Sequence, residues 1–191
     1  MRIAISGPPG SGKTTICMLV ANRLNCNFVL VGQIFRQMAN ERQVDLATFG
    51  RLAEENETID RELDERMVEV AKQSDNIVLE GRLTGLLLKE NKIPVLAVLV
   101  TATQKVRAER IAQREGKEVA SVLREMEARE RSEKKRYLAY YGIDPNDKSK
   151  YDLWVDSTST PADRIADMVV EKARAANVEN TSQVKTLDRP G

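Results

Sequence analysis

The first residues with a chemical signature form a glycine-rich segment near the amino terminus, Gly7-Pro8-Pro9-Gly10-Ser11-Gly12-Lys13-Thr14. Two glycines separated by four residues and followed at once by lysine and threonine are typical of a phosphate-binding loop between a strand and a helix. Glycines let successive backbone N–H groups converge on phosphate oxygens, and the helix amino terminus adds partial positive charge. We therefore expect this segment and Thr15 to bind ATP, with Lys13 on the β- and γ-phosphates and the Thr14 hydroxyl on Mg²⁺. The alternative is a glycine-rich turn without a ligand.

A second signature lies in an arginine-rich stretch of the carboxyl-terminal half, whose members recur at helical spacing as Arg107, Arg110, Arg114, Arg129 and Arg136. Like charges stacked along a helix repel each other unless an anion lies opposite them, and a triphosphate is such an anion. We expect Arg110 and Arg114 to contact ATP. Arg129 and Arg136 are seven residues apart with Glu133 between them, and we expect them to neutralise charge during phosphoryl transfer. The alternative is a solvated helix with Arg–Glu pairs.

Composition excludes several kinds of chemistry. The 191 residues contain no histidine, which removes imidazole bases, Ser-His-Asp triads and nearly all zinc sites. Only two cysteines are present, too few for a disulfide framework. The net charge of +1 gives no general field for nucleic acid, and we expect no nucleic-acid partner. Any chemistry must therefore use carboxylates, lysine, arginine and a metal ion.

Five short apolar runs alternate with helical patterns along the chain. The runs cover residues 2–6, 27–31, 77–79, 93–100 and 151–155, and the helical patterns begin near residues 13, 33, 48, 103 and 160, with a break near Gly116. This alternation predicts an α/β fold, a five-stranded parallel sheet with helices on both faces, whose ligands bind at the carboxyl ends of the strands. We expect one domain over residues 1–176 and a flexible tail over 177–191, where apolar periodicity is lost.

No stretch of the sequence reaches the roughly 18 to 20 apolar residues of a membrane helix, and the chain enters a strand pattern directly after Met1. We therefore expect a cytoplasmic protein with no membrane association.

Beyond these patterns, the chain resembles the nucleoside monophosphate kinases, and within them the archaeal-type cytidylate kinases, from Met1 to about Arg174. Seven segments carry the resemblance: GPPGSGKTT, GQIFR, IDRELDER, LEGRLTG, REGK, ARERSEKKRYLAYYGIDPND and YDLWVDST. The first is common to many phosphate-binding loops, whereas the combination is specific.

The resemblance implies a phosphotransferase that uses ATP and Mg²⁺ and accepts CMP or dCMP, and we expect it to be a monomer. It implies an acceptor-binding helical region over residues 33–73 and a short lid over 107–136. Within these, Arg36 and Arg82 would hold the phosphate of the acceptor, which suits the paired hydrogen bonds of a guanidinium. Asp60 would accept a hydrogen bond from the cytosine amino group. Glu80 would lie near Mg²⁺ through a water molecule.

Two alternatives remain open from the residues alone. One is a different small kinase of the same fold, such as an adenylate, shikimate or gluconate kinase. The other is an ATP-binding RNA-processing or regulatory factor that contacts RNA through the arginine-rich stretch; the near-neutral charge and the lack of clustered aromatic residues argue against it.

Overall fold

The computed structural model describes the backbone of residues 1–187 and the side chains of residues 1–46 and 48–176. Five strands form one sheet: β1 (Arg2–Ser6), β2 (Asn27–Leu30), β3 (Ile77–Gly81), β4 (Leu96–Thr101) and β5 (Leu153–Asp156). All neighbouring strands are parallel, in the order β2-β3-β1-β4-β5. The parallel five-stranded sheet predicted from the sequence is confirmed.

Eight α-helices are present among the described residues: α1 (Lys13–Leu24), α2 (Val31–Glu41), α3 (Leu46–Glu55), α4 (Glu57–Lys72), α5 (Thr84–Glu90), α6 (Gln104–Glu115), α7 (Val119–Tyr141) and α8 (Ala162–Leu187). The helical pattern predicted from residue 48 to residue 73 is two helices, because Asn56 adopts an extended conformation and its side chain accepts a hydrogen bond from the Thr58 N–H. The sequence patterns missed α5, a seven-residue helix in which five residues are buried and no polar face marks the helical period.

The predicted break near Gly116 is confirmed. Gly116 ends α6 with a φ of 64°, in the left-handed region that glycine adopts at low cost. Beyond it, α7 packs on α6 through a small apolar cluster formed by Ala108, Ile111, Ala112, Val122 and Met126. The arginine-rich stretch is therefore a helix pair with a core of its own, in keeping with a separate lid.

The closing helix extends into the segment predicted as a flexible tail. The backbone of α8 is helical as far as Leu187, and the flexibility of residues 177–191 stays a prediction. Helical hydrogen bonds are local, so a helix can extend past Ala173, the last buried residue among the described side chains of α8. The rest of the predicted tail, residues 188–191, lies outside the described part of the chain. Over the described residues, no helix has the length and hydropathy needed to cross a membrane.

Helices cover both faces of the sheet. On one face α1 and α8 bury Ile16, Val20, Ile165 and Val169 against residues of β1 and β4. The other face is covered by α4, α5 and the residues that follow α7. A third cluster, around the fully buried Phe49, joins α2, α3 and α4 into a separate body, which we call the acceptor region. The carboxyl ends of the strands thus lie between the acceptor region and the α6–α7 pair.

Two helical glycines give a matched test of this packing. A Cβ added at Gly85 of α5 would lie 2.8 Å from the Ala97 Cβ of β4, whereas one at Gly50 of α3 meets no atom within 4 Å. We expect Gly85→Ala to lower the free energy of unfolding by about 1 to 3 kcal/mol through overpacking. Gly50→Ala should raise it by about 0.4 to 1 kcal/mol, because alanine loses less chain entropy in a helix.

Urea unfolding of both variants measures these free energies. Equal effects of the two substitutions would contradict the close contact of α5 with the sheet.

Candidate active site

The glycine-rich segment forms a loop that joins β1 to α1 at the edge where the strands end. Gly7 lies so close to β4 that an added Cβ would stand 2.1 Å from the Val100 carbonyl oxygen. Gly10 has a φ of 76°, and a Cβ there would approach the Arg107 carbonyl oxygen to 2.6 Å. These positions require glycine for space as well as for backbone conformation. The loop is therefore held in place by β4 and by the start of α6.

Lys13, the first residue of α1, is buried beneath this loop. Its ammonium group donates to the Pro8 carbonyl oxygen at 2.8 Å and lies 3.7 Å from the Glu80 carboxylate. Burial, followed by the charge of Arg82, lowers the pKa of Lys13 to about 7. A phosphate anion placed beside the ammonium would favour its charged form and raise this pKa again.

Two oxygen-bearing side chains meet next to Lys13. The Thr14 hydroxyl donates to the Glu80 carboxylate at 3.3 Å, and Glu80 comes from the end of β3. Over the described residues, no group of three or more His, Cys, Asp and Glu side chains could hold a metal ion. A pair of hard oxygen donors still fits Mg²⁺, which commonly takes one or two protein ligands and completes its shell with substrate phosphates and water.

A buried carboxylate on α7 connects two of the predicted arginines. Glu133 accepts from Arg82 Nε at 3.0 Å and from Arg129 Nε at 2.8 Å. Burial would by itself raise the pKa of the Glu133 carboxyl, but the charges of Arg82 and Arg129 hold it below its ordinary value. Arg82 also donates to the Gly7 carbonyl oxygen at 3.0 Å. The structure thus links α7 to β3 and to the phosphate-binding loop.

Arg136 contacts the acceptor region through Asp60 of α4. One guanidinium nitrogen of Arg136 donates to both Asp60 oxygens, at 2.8 and 2.7 Å. The pKa of the Asp60 carboxyl is raised because burial outweighs the attraction of Arg136. Arg136 Nε is buried and has no hydrogen-bond partner among the described residues. Arg36 lies on the exposed side of α2, and the structure does not bring it to this pair.

Further contacts tie α7 to the acceptor region on either side of Arg136. The Ser132 hydroxyl donates to the Glu54 carboxylate at 2.6 Å, and the Tyr141 hydroxyl donates to the Asp64 carboxylate. Burial raises the pKa of Asp64 to about 7, although the hydrogen bond from Tyr141 acts in the opposite direction. The sequence pattern placed Asp60 and Asp64 on one helical face, but it had no signal for their partners on α7.

The remaining three arginines of the predicted set have different environments. Arg107 is buried, donates to the Pro9 and Ala102 carbonyl oxygens at 3.1 Å each, and pairs with Glu130. Arg110 donates to the hydroxyl and the carbonyl oxygen of Ser157, after β5, at 3.0 and 2.7 Å. Arg114 is exposed and pairs with the adjacent Glu115. Of these three, Arg107 and Arg110 lie against the phosphate-binding loop, Arg110 through a bond of 3.5 Å to the Gly10 carbonyl oxygen, and the contact of Arg114 with ATP stays a prediction.

A cavity of about 450 Å³ opens between the start of the loop and α7. Its walls include Gly7, Arg82, Arg107 and Glu133, together with Lys134 of α7. Lys13, Thr14 and Glu80 are not among the described residues that line it. The cavity thus lies beside Lys13, Thr14 and Glu80 rather than over them. The charged side chains, rather than the cavity, mark where a phosphate group would bind.

This geometry, a phosphate-binding loop faced by arginines from a neighbouring helix, can be compared with known proteins. Residues 2–159 match the model of the cytidylate kinase-like family. The chain belongs to this family. That membership confirms the resemblance seen in the sequence and, with it, the prediction of a phosphotransferase.

Individual relatives extend the family match over most of the chain. The chain is 42% identical to the cytidylate kinase of Halobacterium salinarum over 94% of its own length and 92% of that protein's. It is 45% identical to the cytidylate kinase of Methanocaldococcus jannaschii over 88% of its length and 95% of that protein's. The cytidylate kinase of Archaeoglobus fulgidus is 38% identical, with 94% and 98% of the two chains covered.

Solved structures that share less sequence identity with this chain confirm its fold. Shikimate kinase from Acinetobacter baumannii in complex with shikimate superposes with a TM-score of 0.60 at 14% identity, covering 92% of this chain and 93% of that one. A gluconokinase from Sinorhizobium meliloti gives a TM-score of 0.56 at 16% identity, covering 98% and 97%. At such identities the likeness concerns the fold alone.

The raised pKa of Asp64 predicts a pH dependence of stability. Its ordinary value is 3.8, so between about pH 4 and pH 7 the unfolded chain loses this proton while the folded chain keeps it. The folded state then binds more protons, and the free energy of unfolding contributed by Asp64 falls as pH rises through this window. Asp64→Asn does not titrate and should become progressively more stable relative to the unaltered chain up to about pH 7.

Urea unfolding of both proteins from pH 4.5 to pH 8 tests this expectation. A stability difference that does not change with pH would show that Asp64 titrates normally.

Proposed function

We propose that this protein transfers the γ-phosphate of ATP to CMP, and also to dCMP, and releases ADP and the cytidine diphosphate. The observation that carries the proposal is the arrangement around Glu133, which holds Arg82 and Arg129 beside the loop of Lys13. A site of this kind suits two phosphate groups facing each other. Membership of the cytidylate kinase-like family and the names of the relatives support CMP as the acceptor.

On the donor side, residues Gly7–Thr15 would surround the triphosphate, with Lys13 on the β- and γ-phosphates. Arg110, and with movement of the lid Arg114, would contact ATP. Thr14 would hold Mg²⁺ directly and Glu80 would hold it through water, and the ion would neutralise part of the phosphate charge.

On the acceptor side, Arg36 and Arg82 would hold the phosphate of CMP, and Asp60 would accept from the cytosine amino group. Asp60 now binds Arg136, so CMP would have to replace that partner. Because the Nε of Arg136 is buried and has no partner among the described residues, it would be able to donate to a ligand. Residues 33–73 would therefore serve as the acceptor-binding region.

The transfer step would depend on position and charge. Negative charge spreads over the equatorial oxygens of the moving phosphoryl group, and Arg129 and Arg136 would neutralise it from the lid, residues 107–136. A closed lid would also exclude water that could hydrolyse ATP. The acceptor phosphate oxygen is already ionised, so the absence of histidine is no obstacle. We propose a monomer that needs no nucleic-acid partner.

An acceptor panel tests the proposal. ATP and Mg²⁺ are supplied with CMP, dCMP, UMP, AMP or shikimate, and ADP formation is measured. We expect CMP and dCMP to give the highest kcat/KM, and Lys13→Ala to lower kcat by about 100-fold or more because it removes a charge that stabilises the transition state. A preference for AMP or shikimate would reject CMP as the acceptor. Normal turnover of the folded Lys13→Ala protein would reject the role of the loop.

A further inference from the structure

Three places along α7 fasten it to the acceptor region at intervals of about one turn. Ser132 contacts Glu54 at the end of α3, Arg136 contacts Asp60 on α4, and Tyr141 contacts Asp64 one turn farther along α4. The Tyr140 hydroxyl adds a longer bond of 3.4 Å to the Glu54 carbonyl oxygen. The two bodies on either side of the strand ends are thus already joined through side chains.

These contacts differ in what happens when substrate binds. Under the proposed function, Asp60 turns to the cytosine of CMP and Arg136 to the transferred phosphoryl group, so the pair ceases to hold α4 against α7. The Asp64–Tyr141 pair has no role toward substrate in that proposal. Tyr141 is fixed at both ends, because its ring packs on the core cluster of the sheet and its hydroxyl donates to Asp64.

We infer that Asp64 and Tyr141 form a positioning contact that keeps α4 and α7 in register while CMP separates Asp60 from Arg136. Asp64 follows Asp60 by one turn of α4, and Tyr141 follows Arg136 near the end of α7. A hydrogen bond at this point limits how far α4 can turn or slide relative to α7. Asp60 and Arg136 then stay at a spacing at which Asp60 can hold the cytosine while Arg136 faces the transferred phosphoryl group.

The consequence for binding is quantitative. Without the contact, only a fraction of the molecules would hold α4 and α7 in the competent register, and the apparent affinity for CMP would fall by that fraction. The net stabilisation of a typical hydrogen bond corresponds to a shift of about threefold to tenfold. ATP binds mainly to the loop and α1, so its KM should be spared.

The test compares two identical substitutions at tyrosines that pack on the same core cluster. Tyr141→Phe removes the hydroxyl from Asp64. Tyr151→Phe removes a hydroxyl that donates to the Pro145 carbonyl oxygen, outside α4, at 3.0 Å, and the Tyr151 ring packs on the same core cluster. Asp64→Asn keeps an acceptor oxygen for Tyr141 and serves as the conservative variant. KM for CMP, KM for ATP, kcat and the melting temperature are measured for all three.

We expect Tyr141→Phe to raise KM for CMP about threefold to tenfold, with kcat and KM for ATP within about twofold of the unaltered chain. Tyr151→Phe should lower the melting temperature without changing KM for CMP, and Asp64→Asn should keep KM for CMP close to normal. The inference is overturned if Tyr141→Phe leaves KM for CMP unchanged, if both tyrosine variants shift it equally, or if Asp64→Asn behaves like Tyr141→Phe.

The inference rests on the proposed function, and the two fail in different ways. If the unaltered chain does not phosphorylate CMP, the proposed function is rejected and the inference with it. If the unaltered chain phosphorylates CMP and the tyrosine variants do not differ, only the inference is rejected.

Discussion

The structure depends above all on how the positive charges gathered at the carboxyl ends of the strands are balanced. Lys13 and Arg82 lie close enough that the charge of Arg82 helps to lower the pKa of Lys13. Buried charges without partners are strongly destabilising. Glu133 and Glu80 supply the opposite charge, Glu133 between Arg82 and Arg129 and Glu80 beside Lys13. These two carboxylates offset the positive charges of Lys13, Arg82 and Arg129 within the protein itself.

The same balance explains how the chain can work without histidine. A phosphate acceptor needs alignment and neutralisation more than it needs a base. Glu133 stays ionised because its two guanidinium partners lower its pKa, and it fixes the planes of both. Because Arg82 and Arg129 bind Glu133 through Nε, phosphate groups would contact the outer nitrogens of Arg129 and the one outer nitrogen of Arg82 that does not donate to Gly7. Binding and catalysis in this account use groups that are oriented before the substrate arrives.

Local patterns predicted much of this arrangement. The strand, glycine loop and helix around Lys13 are encoded within a few residues, and the spacing of Arg129, Glu133 and Arg136 predicts a shared side of one helix. The hydrogen bond between Glu133 and Arg82 joins residues that are 51 positions apart in the sequence. It depends on how α7 packs beside the end of β3, and sequence periodicity carries no information on that packing. For the same reason, helical spacing grouped Arg114 with Arg107 and Arg110, although the structure leaves Arg114 exposed.

The buried helix α5 and the exact ends of the strands were not predictable from alternation. In α5, apolar contacts on nearly all sides remove the polar face from which a helix is recognised. The second strand is one residue shorter than its apolar run because Val31 begins α2. Tertiary packing decided these positions, whereas the loop from Gly7 to Thr14 is determined by its own glycines.

The most direct test of the central claim is Glu133→Gln, with the exposed Glu127→Gln on the same helix as control. Turnover of CMP is measured at saturating substrates, and ATP affinity is measured by titration calorimetry. Loss of the charge that aligns two arginines should lower kcat at least about tenfold, while ATP affinity changes by less than about threefold. The control should behave like the unaltered chain. Normal kcat in a folded Glu133→Gln protein would contradict the account.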